Sequence, residues 1–162
     1  LIAMIAATPA ERYRGMVNSL TTHAEIDEYL TDGYGSNQWC LLFFNGRVQV
    51  VLEADDFDPY MNLYSILTLP QFRKKGYANQ VMNWICEAAD KWGVRIELDV
   101  NPFEHIDVMK EAGMVEVNLS PELIEKFGIM DSRKLENYYR KFGFKMKNMD
   151  GIEYFLRYPS TH

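Results

Sequence analysis

Metal-binding and redox residues are scarce in this sequence. Two cysteines, Cys40 and Cys86, and three histidines are spread over 162 residues. Both cysteines sit inside apolar runs, "WCLLFF" and "MNWICEAA", far from one another and from any close Cys/His spacing. A zinc site needs four such donors at short intervals, so no metal is expected, and both thiols read as buried and reduced. Long apolar runs are missing as well. The opening "LIAMIAA" is too short to span a bilayer and lacks a basic flank, so it reads as a first strand and no membrane partner is expected. Repeats, linkers and low-complexity tracts are absent, and residues 1–162 read as one domain. Net positive charge is lacking too, with 23 acidic against 17 basic side chains and a formal charge of −6. Nucleic-acid affinity rests on neutralising phosphates, so no nucleic-acid partner is expected, and an amine-bearing partner fits the balance better. The expectation is a cytoplasmic monomer or homodimer.

What remains is rich in apolar (48%) and aromatic (14%) side chains, enough for a sizeable core. Thr8-Pro9-Ala10-Glu11 is a capping box with proline at the first helical position, starting a helix to about Leu20. Thr22 and Glu25 form a second box, predicting a short helix that ends at "TDGYG". Two β-rich runs flank Asn45-Gly46, a strong hairpin signal, and "MNLYSILTL" is a further strand closed by Pro70. Ala78, Val81, Met82, Ile85, Ala89 and Trp92 recur at helical spacing, with Gly93 as the stop, and "VRIELDV" alternates as a strand. Capped starts at Asn101-Pro102 and Ser120-Pro121 predict two helices within 101–131. A helix over about Ser132 to Phe142 and a closing hairpin around Asp150-Gly151 complete a mixed α/β order, a sheet covered by helices.

The stretch "QFRKKGYANQVMNW" places Arg73, Lys74 and Lys75 at the mouth of a helix. A helix start offers unpaired N–H groups and the positive end of the dipole, which suit a phosphate or pyrophosphate. Gly76 and Ala78 keep the backbone accessible, and the spacing fits neither the lysine-containing P-loop nor the dinucleotide fingerprint. A solvated basic patch is the plain alternative. The longer stretch "LTLPQFRKKGYANQVM" resembles the acyl-coenzyme A signature of the GNAT superfamily of N-acetyltransferases, with Arg73, Gly76 and Ala78 at the defining positions. "KLENYYRKFGFK" resembles that family's late helix, with Tyr139, Lys141, Gly143 and Phe144 in place. The resemblance covers roughly residues 38–159. It implies the GNAT fold, an α/β architecture with a mixed, mostly antiparallel sheet flanked by helices, here with an inserted helical segment at about 101–131. It also implies acetyl-CoA as cosubstrate and a primary amine as acceptor. Ile66, Leu67 and Thr68 would contact the pantetheine arm, and Arg73, Lys74, Lys75, Gly76, Tyr77 and Ala78 would hold the pyrophosphate.

Acetyl transfer to an amine needs a free amine, a stabilised oxyanion and a proton for the leaving thiolate. The resemblance assigns the proton to Tyr139, against the plain alternative of a packed aromatic, and a strand amide near Thr68 to the oxyanion. Glu53, Asp55, Asp56, Glu97 and Asp99 are candidate bases, none singled out by its surroundings. A weaker copy of the late motif, "HIDVMKEAGMVEV", has Met109 where the tyrosine belongs, and the later copy is preferred for its Tyr, Gly-Phe and terminal hairpin. Ser132 replaces an asparagine common in the family. Two rival readings stay open. One is a non-catalytic coenzyme A-binding GNAT module. The other is a nucleic-acid surface built on Arg133, Lys134, Arg140, Lys141, Lys145 and Lys147.

Overall fold

The computed structural model describes residues 7–98 and 132–160. The expected first strand, the helices within 101–131 and the candidate base Asp99 lie outside the described residues. Helix α1 (Pro9–Leu20) begins as its capping box predicts, with Thr8 Oγ1 accepting from the Glu11 amide at 3.2 Å. Then come β1 (Ala24–Thr31), β2 (Ser36–Phe43), β3 (Val48–Asp55) and β4 (Tyr60–Thr68), followed by helix α2 (Tyr77–Trp92) and β5 (Arg95–Leu98). Helix α3 (Ser132–Arg140) and the strands β6 (Lys145–Met149) and β7 (Ile152–Arg157) close the described chain. Among the described residues the seven strands form one sheet, ordered β1-β2-β3-β4-β5-β7-β6. Only β4 and β5 run parallel, with α2 as their crossover; the other five pairings are antiparallel.

The helix predicted from the Thr22–Glu25 box does not form; residues 24–31 are β1. Antiparallel pairing with β2 wins over the local cap, reinforced by Tyr29, whose ring stacks on Trp39 at 5.5 Å and whose hydroxyl donates to Asn37 Oδ1 at 2.8 Å. A bulge explains the misleading pattern. The register jumps between Ile26 and Glu28, so Asp27 is the extra residue and Ile26 and Tyr29 fall on one face although three apart. That spacing mimics a helical stripe. Carboxylates at Glu25, Asp27 and Glu28 and the bulge itself discourage edge-to-edge association of this outer strand.

The core lies between the sheet and α1 and α2. Trp39, Leu41 and Phe43 of β2, Val48, Val50 and Leu52 of β3, and Met61, Leu63 and Ile66 of β4 cluster with Tyr13, Met16 and Leu20 of α1 and with Val81, Met82 and Ile85 of α2. The helices meet closely at Gly15, where a Cβ would come within 2.5 Å of the Trp92 ring. Trp92 is itself fixed by donation from Nε1 to Ser19 Oγ at 2.8 Å. The far end of the sheet is tied to α2 by Arg157, which makes a two-pronged ion pair with Asp90 at 2.8 and 3.0 Å and donates from Nε to the Phe142 carbonyl at 2.7 Å.

Both predicted hairpin turns form. Asn45 (φ 56°) and Gly46 (φ 87°), and Asp150 (φ 54°) and Gly151 (φ 81°), adopt the left-handed backbone such turns require. Helix α3 stops two residues earlier than the expected Phe142, because residues 141–143 wind into tighter turns, with the amides of Lys141, Phe142 and Gly143 each bonding three residues back.

Candidate active site

Strand β4 carries the site. Its parallel ladder with β5 consists of Tyr60↔Arg95, Met61↔Ile96 and Asn62↔Glu97, and stops there although both strands continue. From Leu63 to Thr68 the β5-facing edge of β4 therefore has no ladder partner among the described residues, leaving backbone donors and acceptors for an extended guest. On the other edge the register with β3 shifts at this level, from Leu52↔Leu63 to Val51↔Ser65, so Tyr64 is a bulged residue. The bulge sits where β4 leaves β5, turning the strand at the point of separation. Ile66 and Leu67 are buried and Thr68 half-buried on this stretch.

Beyond Thr68 the chain makes one 3-10 turn, Pro70–Phe72, and then a curled segment. Lys74 (φ 63°) and Gly76 (φ 80°) are both left-handed. Gly76 caps α2 without a side-chain acceptor, so the first amides of the helix are left to solvent or a ligand. Arg73 is half-buried and closes the curl from within, its Nε donating to the Thr68 carbonyl at 3.2 Å. Its Nη1 is fully buried with no hydrogen-bond partner among the described residues, and burial lowers the guanidinium pKa. No carboxylate pairs with Arg73, Lys74, Lys75 or the neighbouring Arg47 among the described residues. A buried orphan donor, unpaired cations and free helix amides form a cradle whose chemistry fits a pyrophosphate.

At the opposite end of β4 lies a cleft of about 490 Å³, whose lining includes Asp32, Gln38, Glu53, Asp55, Asp58 and Asn62. Gln38, Glu53 and Asn62 form one cross-strand row on the sheet face away from the core. Of the candidate bases, Asp55 is engaged by the Phe57 amide at 3.0 Å, and Asp56 by Asn37 Nδ2 at 2.8 Å and by Arg14 at 3.6 Å. Glu53 has no hydrogen-bond or ion-pair partner among the described residues and faces the cleft. Asp32 accepts from the amides of Tyr34 and Ser36 at 2.7 and 3.1 Å, which holds its carboxyl below the ordinary range. Tyr34 and Phe57, in the two loops at this end, are 88% and 84% exposed, leaving aromatic faces free beside the acids.

Tyr139 lies in α3 with its ring packed in the core at 7% exposure, edge-on to Tyr138 at 5.4 Å and Phe144 at 5.8 Å. Its neighbour Tyr138 is half-buried with a hydroxyl that has no partner among the described residues, and burial, followed by the nearby Cys86, pushes its pKa up to about 12. In the same region Arg140 stacks over Phe155 at 5.5 Å and Lys147 over Tyr158 at 4.4 Å. Of the residues at these two candidate places, the sequence points to the loop, Glu53 and Asp55 but not to Asp32, Asp58 and Asn62. Asp32 was hidden behind the false helix, whereas Asn62 was within reach, since the hairpin register aligns it with Glu53.

An open β4 edge thus runs into a curl of cations and helix-start amides. Residues 11–110 match the model of the Acetyltransferase (GNAT) family, and the chain belongs to that family. Its mixed, mostly antiparallel seven-stranded sheet with helices is the family's fold, and membership implies acyl transfer from an acyl-coenzyme A. The matched span includes the whole of residues 66–78 and ends before α3. Among solved structures, nourseothricin acetyltransferase is similar at 16% identity and a TM-score of 0.37, covering 78% of this chain. This chain spans 66% of that protein's length. No curated protein sequence matches significantly. Among the described residues no helix is long and apolar enough to cross a membrane.

Proposed function

We propose that the protein is a cytoplasmic N-acetyltransferase that moves an acetyl group from acetyl-CoA to a primary amine by direct attack of the amine on the thioester. The observation that carries this reading is the buried Nη1 of Arg73, without a hydrogen-bond partner among the described residues, at a curl adjoining the edge of β4 that those residues leave open. In this reading Ile66, Leu67 and Thr68 hold the pantetheine arm through their backbone. Arg73, Lys74, Lys75, Gly76, Tyr77 and Ala78 hold the pyrophosphate. The acceptor enters from the acidic cleft, where Asp32, Asp55 and Asp58 favour a cation and Glu53, directly or through water, takes the proton that the amine must lose. A β4 amide where the strand parts from β5, at Leu63 and Tyr64 beside the cleft rather than near Thr68, meets the developing oxyanion, and Tyr139 returns a proton to the departing thiolate.

The buried ring of Tyr139 favours a second reading, a coenzyme A-binding module without catalysis. Thermal unfolding with and without acetyl-CoA tests the shared premise, and thioester consumption over a panel of primary amines separates the two. Turnover that Tyr139→Phe slows strongly supports the full mechanism. Equal rates remove Tyr139 from it, and binding without turnover on any amine leaves the module. No thermal shift at saturating acetyl-CoA would sink both.

A further inference from the structure

We propose that Arg47 is a positioning residue of the coenzyme cradle, a clamp supplied by the β2–β3 hairpin that brackets the anion-binding curl from both ends. The inference rests on reading residues 73–78 as the pyrophosphate seat. Arg47 stands 26 positions ahead of Arg73, in a turn otherwise explained by Asn45-Gly46, and it matches neither motif that marks the family. The fold brings it to the curl because β3 pairs with β4 from Val48↔Thr68 onward. Its carbonyl accepts from the Leu69 amide at 3.1 Å, where the chain leaves β4.

The side chain does the bracketing. The guanidinium carbon lies 4.8 Å from the centre of the Phe72 ring and 5.7 Å from that of Tyr77, and Nη1 donates to the Tyr77 hydroxyl at 3.1 Å. Phe72 is the residue just before Arg73, and Tyr77 the one just after Gly76. One planar cation thus touches both flanks of the four residues that curl. Phe44 adds a third ring, 4.7 Å from Tyr77.

Such a clamp has a physical task. Lys74 is a non-glycine residue in the left-handed region, a conformation that persists only where the surroundings over-determine it. Gly76 contributes a second left-handed turn with no side chain to hold it. Amides that must converge on an anion bind best when ordered beforehand, since ordering on binding costs affinity. Arg47 also has no carboxylate partner among the described residues, so its charge remains available to the field at the cradle.

The test measures coenzyme A binding by calorimetry, and KM and kcat for acetyl-CoA, in wild type, Arg47→Ala, Arg47→Lys and Tyr77→Phe. Arg47→Ala should bind coenzyme A about tenfold more weakly, with the loss falling on KM for acetyl-CoA rather than on kcat, and with an unliganded melting temperature close to wild type. Arg47→Lys keeps the charge but cannot both stack on Phe72 and bond Tyr77, so it recovers only part of the loss. Tyr77→Phe keeps the ring and loses the hydrogen bond, falling between wild type and Arg47→Ala. If Arg47→Ala does not fold, the Lys and Phe variants carry the same comparison. Wild type that binds coenzyme A while all the variants bind within about twofold of it overturns the clamp and leaves the function standing. Wild type that fails to bind overturns the function itself.

Discussion

Replacing Gly76 by alanine separates what the cradle does for folding from what it does for binding. A Cβ built on Gly76 meets no heavy atom within 4 Å, so the substitution creates no collision inside the protein. Its cost to the free protein is conformational. A left-handed backbone, φ +80° here, disfavours an L side chain by about 1–2 kcal/mol. In a chain of 162 residues each 1 kcal/mol displaces the melting temperature by about 2–4 °C, so free Gly76→Ala should melt about 2–8 °C lower than wild type.

Coenzyme binding adds a second, independent number. Ligand at about 100 times its dissociation constant stabilises the native state by about 2.7 kcal/mol, a rise of about 5–11 °C on the same scale. If the new methyl stands where the pyrophosphate must approach and weakens binding tenfold, the same ligand concentration yields only about 1.4 kcal/mol. The coenzyme-induced rise should then be halved. Differential scanning fluorimetry at matched acetyl-CoA concentrations reads both quantities from one set of curves. A variant whose ligand-induced rise equals that of wild type refutes Gly76 as part of the seat, whatever happens to the free protein.

The other predictions concern packing and titration. Gly15→Ala gains about 1 kcal/mol of helix propensity but drives a methyl to 2.5 Å from a Trp92 ring pinned by Ser19. Overpacking of this kind costs about 1–3 kcal/mol, so a lower urea midpoint is expected, and a higher one would show that Trp92 moves freely. Tyr138→Phe removes a buried hydroxyl that has no partner among the described residues, so stability should hold or rise by up to about 1 kcal/mol; a clear loss would reveal an acceptor at that site. Burial pushes the Cys86 thiol up to about 11. The neutral thiol's contribution is fully present below the unfolded value of about 8.5, and is lost as pH rises through the folded value. Urea midpoints should therefore fall between about pH 8.5 and 11, less steeply in Cys86→Ala, and identical slopes in the two proteins would contradict the assignment.

Where the sequence was legible, short-range chemistry decided the structure. Thr8 caps α1, Gly93 ends α2 in the left-handed region, and Asn45-Gly46 and Asp150-Gly151 turn their hairpins, each through backbone preferences confined to a few residues. The strand, curl and helix start around residues 66–78 belong with these, being local objects. The failures have long-range causes. Residues 24–31 carry a helix cap and a helix-like apolar spacing, yet pairing with β2 and a bulge at Asp27 make them a strand. The acidic cleft draws on β1 to β4 and their loops, so no single stretch announces it. Gly15 gives no sign in sequence that Trp92 needs its missing side chain. Tyr138 and Tyr139 are neighbours in one helix, and only the fold separates the ring packed in the core from the hydroxyl left without a partner.

Charge placement along β4 explains how an acidic chain can serve a polyanionic cosubstrate. The cations Arg47, Arg73, Lys74 and Lys75, without a carboxylate partner among the described residues, gather past the Thr68 end of the strand, while the cleft acids Asp32, Glu53, Asp55 and Asp58 gather at the Tyr60 end. At about 3.3 Å per residue, Asn62 and Thr68 are roughly 20 Å apart, twice the screening length at 0.1 M salt. Each end therefore keeps its own field, one suited to phosphates and the other to a protonated amine. Between them, at Leu63 and Tyr64, β4 parts from β5 and bulges, the one level at which an extended guest from the cationic end and an acceptor from the acidic end share a strand. The net charge of −6 thus conceals a dipolar site. Raising ionic strength should weaken coenzyme and acceptor binding independently, each through its own end of β4.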